Sequence, residues 1–68
     1  MAPVITPEDL RAARARAEVP LYMIAPYVGI NPRRLGDVLR GRSPLTPELA
    51  ERVLRAIDAL RREGYPSL

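Results

Sequence analysis

The sequence predicts an all-α fold, a compact bundle of four to five helices. Three observations carry that expectation. Thr6-Pro7, Asn31-Pro32 and Thr46-Pro47 each set a helix-capping residue before a proline. Proline suits the first helical position, because the N–H it lacks has no intrahelical partner there. Apolar residues recur at helical spacing in Leu35, Val38 and Leu39, and again from Leu49 to Leu60. β-Branched residues are few and never alternate over a length that would make a strand. With 68 residues the chain is one small domain. A chain of this size buries only ~60% of the surface its unfolded form exposes, which favours a fold with short loops. The expected division is an arm over 1–5, a single domain over 6–64 and a tail over 65–68.

The first helix is expected from Pro7 to about Glu18. It is rich in Ala and Arg, and Leu10, Ala13, Arg14 and Ala17 share its thin buried stripe. The second should start at Pro20, after a poorer cap in Val19, and end at Val28 with Gly29 as its left-handed terminator. Pro26 falls inside it and predicts a kinked or irregular element, with Ile24, Ala25 and Val28 facing inward. The third runs from Pro32 to Arg40 and stops at Gly41. The fourth runs from Pro47 to Glu63. Its inner face is Leu49, Ala50, Val53, Leu54, Ile57 and Leu60; its outer face has the acid-first pairs Glu48–Arg52, Glu51–Arg55 and Asp58–Arg62 at i, i+4. Tyr27 reads as a half-buried core residue.

Composition excludes several chemistries. The chain has no Cys and no His, so it lacks disulfides, thiolate and imidazole metal ligands, and the commonest general base. The Thr residues are accounted for as caps, and no catalytic constellation is visible. The expectation is a protein that is not an enzyme and needs neither metal nor cofactor. No apolar run reaches the ~18 residues that span a bilayer, and no signal peptide is visible. A soluble, intracellular protein is expected, with no membrane partner.

All 11 basic residues are Arg, and the net charge is +3. Residues 1–30 and 43–68 are each electrically balanced. The whole excess lies between Asn31 and Arg42, where Arg33, Arg34, Arg40 and Arg42 face only Asp37. The first turns after Thr6 and Thr46 carry the acids Glu8, Asp9 and Glu48, which suit a helix N-terminus. The first turn after Asn31 carries Arg33 and Arg34 instead, against the dipole. Two arginines there concentrate positive potential where a phosphate would sit. An Arg33–Asp37 pair at i, i+4 on a solvated face is the plainer reading. The second helix, the Gly29-Ile30-Asn31 turn and the third helix together form a helix-turn-helix pattern. Gly29 supplies the positive φ of the turn, Ile30 plugs the core and Asn31 caps. Gly36, in the middle of the third helix, fits either close approach to DNA or close packing against another helix. Tyr22 can hydrogen-bond a phosphate. Arg14 and Arg16 can reach phosphates flanking the groove, but the favoured reading pairs them with the chain's own acids.

The order and spacing of these pieces resemble the Cro/cI-like, XRE-type family of phage-repressor helix-turn-helix proteins. The residues that carry the resemblance run from Leu10 to Arg14, through Ile24-Ala25 and Gly29-Ile30-Asn31-Pro32. They continue with Leu35, Val38, Arg40-Gly41-Arg42 and Thr46-Pro47-Glu48-Leu49-Ala50. Leu21 and Leu39 depart from it, standing where the family often has a DNA-touching Gln and a Glu paired to the Arg matching Arg14. The resemblance implies a lambda-repressor-like fold that binds double-stranded DNA, commonly as a homodimer. It implies base contacts from Asn31, Arg33, Arg34 and Asp37, and backbone contacts from Leu21, Tyr22, Arg40 and Arg42. A dimer seam is expected around Ile57, Leu60 and Tyr65, although the same residues can equally cover the first helix. The expected function is a small sequence-specific DNA-binding regulator of phage or mobile-element type, cytoplasmic and nucleoid-associated. The rival expectation is a protein-interaction module on the same scaffold, such as a modulator of RNA polymerase or an antitoxin.

Overall fold

The computed structural model describes residues 5–63, and among these it holds four α-helices and no strand. They are α1 (Pro7–Ala17), α2 (Leu21–Val28), α3 (Pro32–Leu39) and α4 (Pro47–Glu63). All three cap–proline pairs start helices. Thr6 forms a capping box: its Oγ1 accepts from the Asp9 N–H at 3.2 Å while Asp9 Oδ2 accepts from the Thr6 N–H at 3.0 Å. Asn31 Oδ1 accepts from the Arg33 N–H at 2.8 Å, and Thr46 Oγ1 from the Leu49 N–H at 3.1 Å.

The backbone of α4 approaches α1 and α2, and that of α3 approaches the same two helices. Leu10 of α1, Ile24, Ala25 and Val28 of α2, Leu35 and Leu39 of α3, and Ala50, Val53, Ala56, Ile57 and Leu60 of α4 form one core. Ile30, in the turn between α2 and α3, packs against it partly buried. No polar or charged side chain among the described residues is buried. The core is therefore held by non-directional burial, worth ~25 cal/mol per Å² of apolar surface. The Cα radius of gyration is 11.3 Å, close to the ~11 Å of a folded chain of this length.

Several local expectations change. Val19 is a core residue, fully buried, and Pro20 is the N-cap of α2 without a side-chain cap bond. Glu18 takes the left-handed conformation (φ 57°) that usually falls to Gly, and the turn it makes sends Val19 into the core. Pro26 lies within a continuous α2 and its ring is exposed, so its missing N–H costs one helical bond on the solvent side. Tyr27 is 51% exposed. Its hydroxyl donates to Glu63 Oε2 at 2.7 Å, tying the end of α2 to the end of α4. Of the acid-first pairs on α4, Asp58–Arg62 closes at 3.2 Å, and the other two stay open. Exposed pairs gain ~0.3–0.5 kcal/mol at most on a helix, against the entropy of holding two long side chains.

Candidate nucleic-acid interface

The segment from Leu21 to Ser43 runs through α2, the Gly29–Asn31 turn, α3 and the loop that leaves it. Gly29 closes α2 with φ 82°, and its N–H bonds the Ala25 carbonyl at 2.8 Å. The chain then reverses through Ile30 and enters α3 at the Asn31 cap. Beyond α3 the Arg42 and Ser43 N–H groups both return to the Asp37 carbonyl, at 2.8 and 3.3 Å. That wrap holds Arg42 beside the C-terminal turn of α3 instead of letting the loop run away from it.

Leu35, Gly36, Val38 and Leu39 form the buried side of α3. Arg33 and Arg34 stand exposed on its first turn, with Arg40 and Arg42 exposed at its exit. Asp37 is half-buried between them. None of these arginines closes an ion pair with a described residue, so the Arg33–Asp37 pair allowed by spacing does not form. Four guanidinium groups thus remain available at the two ends of a helix that is ~12 Å long for its eight residues. Asn31 divides its side chain between two tasks. Its Oδ1 is committed to the cap, and its amide N–H groups remain free to donate outward.

Tyr22 is 69% exposed on the first turn of α2. Leu21 is half-buried beside α3: a methyl built on Gly36 would lie 3.8 Å from Leu21 Cδ1. Gly36 is therefore a buried packing position, and the contact is loose enough to hold an ordinary side-chain carbon. Close packing against another helix, one of its two sequence readings, is therefore not what requires a glycine here.

Two arginines of α1 do structural work that the sequence did not signal. Arg11 Nη1 donates to the Leu39 carbonyl at 2.6 Å, across 28 residues of chain. It places a positive charge on the C-terminal end of α3, where the helix dipole favours one. Arg14, expected to meet one of the chain's acids, donates from Nη1 to the Val19 carbonyl at 3.4 Å. Between them they tie α1 to the end of α3 and to the linker that leads into α2. Neither bond has a local pattern by which sequence reasoning could have found it.

The expected dimer seam is not on the surface. Ile57 and Leu60 are 5% and 2% exposed, spent in the chain's own core, and Tyr65 lies outside the described residues. No helix among the described residues is long and apolar enough to cross a membrane. Among the same residues, no cluster of acidic side chains has the makings of a metal site. Comparison with known proteins gives no match: no family model, no curated protein and no solved structure is significantly similar to the chain.

Proposed function

We propose that the chain is a small regulator that binds double-stranded DNA sequence-specifically, a repressor of phage or mobile-element type acting in the cytoplasm at the nucleoid. In this reading α2, the Gly29–Asn31 turn and α3 are a helix-turn-helix, and α3 enters the major groove. The groove is ~12 Å wide, which admits a helix. The observation that carries the reading is the concentration of the chain's whole charge excess on the exposed face of one short helix and its exit, with no acid paired to it among the described residues.

Each residue has a chemical role. Arg33 and Arg34, at the N-terminal turn, offer bidentate donors to guanine O6 and N7. The free Asn31 amide donates to an acceptor on a base edge, and Asp37 accepts from a cytosine amino group. Arg40 and Arg42, with the Tyr22 hydroxyl and the Leu21 main chain, meet phosphates and fix the register. Association of two copies is not needed for any of these contacts, and the domain is proposed to dock as a unit.

The test is a salt titration of binding to a mixed-sequence duplex. Each neutralised phosphate should contribute ~0.9 to the slope of log affinity against log salt. The double variant R40Q/R42Q, which loses two phosphate contacts, should bind more weakly with a slope shallower by ~1.8. A folded protein that leaves duplex DNA unbound at low salt would exclude the reading.

A further inference from the structure

The outer surface of α2 differs from that of every other helix in the chain. Its eight residues, Leu-Tyr-Met-Ile-Ala-Pro-Tyr-Val, include no charge, whereas α1, α3 and α4 all carry several. At ~100° per residue, Tyr22, Pro26, Met23 and Tyr27 follow one another around the arc opposite Ile24, Ala25 and Val28. Tyr22 and Tyr27 are the two large hydrophobic residues left exposed among the described residues. Tyr22 belongs to the surface already described; Tyr27 does not.

Tyr27 forms one wall of a cleft of about 310 Å³ between α2 and α4. Val28, Ala56 and Ala59 give it an apolar floor, and Arg52 and Arg55 stand on the α4 side. The volume is at the small end of the ~300–1,000 Å³ of ligand pockets, enough for one or two inserted side chains. The Tyr27 ring is held in place by its hydroxyl bond to Glu63, so little of its freedom remains to be lost on binding. Arg52 and Arg55 are exposed and do not close ion pairs with Glu48 and Glu51, one turn back. Tyrosine and arginine around a small apolar depression is the composition of a protein-binding hot spot.

We propose that this cleft docks an acidic segment of a partner protein, which seats an apolar side chain on Val28, Ala56 and Ala59 and presents carboxylates to Arg52 and Arg55. Charge complementarity selects that occupant. Arg52 and Arg55, neither of which closes an ion pair among the described residues, are the charged residues of a lining that is otherwise Tyr27, Val28, Ala56 and Ala59. The site is independent of the α3 arginines, because α3 and α4 do not approach each other.

The experiment selects from a displayed library of random peptides on the immobilised full chain. Binding of an enriched peptide is then measured to the parent, to R52Q/R55Q and to R33Q/R34Q. Both substituted pairs are exposed and Gln is a good helix former, so circular dichroism should show intact folds. The expected result is enrichment of peptides with a large apolar residue flanked by Asp or Glu. Their affinity should fall about tenfold in R52Q/R55Q, from two lost charge contacts, and stay unchanged in R33Q/R34Q. The proposal is overturned by no enrichment, by enriched peptides without acids, or by equal binding to R52Q/R55Q. Self-association that R52Q/R55Q abolishes would assign the cleft to a second copy, and loss of duplex binding in that variant would assign it to DNA; either also overturns it.

Discussion

Replacing Gly36 by Ala should stabilise the protein, although the position is buried in the centre of α3. A glycine in a helix interior costs ~0.8–1.0 kcal/mol relative to alanine, chiefly through backbone freedom in the unfolded chain. A buried glycine usually means that a methyl would collide with something. Here the added carbon meets only Leu21 Cδ1, at 3.8 Å, an ordinary contact with the far end of a side chain. The propensity gain is therefore realised without a packing penalty, and G36A should gain about 1 kcal/mol. Thermal unfolding followed by circular dichroism should show a rise of about 4–8 °C for a domain of this size. An unchanged or lower midpoint would refute the reasoning, since it would mean that α2 and α3 are closer than the structure places them. Duplex binding measured beside it should not change, because the methyl lies under Leu21 and away from solvent.

Further variants separate fold from binding in other ways. Asn31→Asp keeps an N-cap acceptor for the Arg33 N–H and adds a negative charge at a helix N-terminus, so stability should hold or rise by ~0.3–1 kcal/mol. Its duplex affinity should nevertheless fall, because the amide donor is replaced by a carboxylate; a variant that binds DNA as well as the parent would remove Asn31 from the contact set. Arg11→Ala removes the 2.6 Å bond to the Leu39 carbonyl and should cost about 1 kcal/mol in a denaturant titration. If the cost is negligible, the clamp between α1 and α3 contributes nothing. Tyr27 should titrate above the ordinary 10.0, because its hydroxyl donates to Glu63 and the nearby carboxylate opposes a second negative charge. The bond's contribution to stability is fully present below pH ~10 and is lost as pH rises through the raised folded value. Glu63→Gln should bring one tyrosine back toward its ordinary range in an ultraviolet titration; an unaltered curve would show that the bond does not persist in solution.

Most of the fold was legible because its signals are local. A cap followed by proline fixes where a helix begins, and Thr6, Asn31 and Thr46 all act as expected. Amphipathic spacing fixes which face turns inward, as Ala50, Val53, Ile57 and Leu60 show. What was missed depends on tertiary placement. Val19 looks like a weak cap in sequence, and only the left-handed turn at Glu18 makes it core. Tyr27 carries a residue type that cores favour, but the geometry of α2 and α4 leaves it outside with Glu63 as its partner. Ile57 and Leu60 fit both a dimer seam and an internal face by spacing, and packing against the remaining helices settles the second. For the candidate interface, sequence identified the arginines and their net charge. Their lack of acidic partners is visible only in three dimensions, as is the division of Asn31 between cap and free amide.

The central claim, that α3 reads duplex sequence with its first-turn arginines, is tested most directly by selection from a randomised duplex library at near-physiological salt. The parent and R33Q/R34Q should be run side by side. The account predicts an enriched motif for the parent that R33Q/R34Q loses while remaining folded. Retention without enrichment, or the same motif from both proteins, would contradict it.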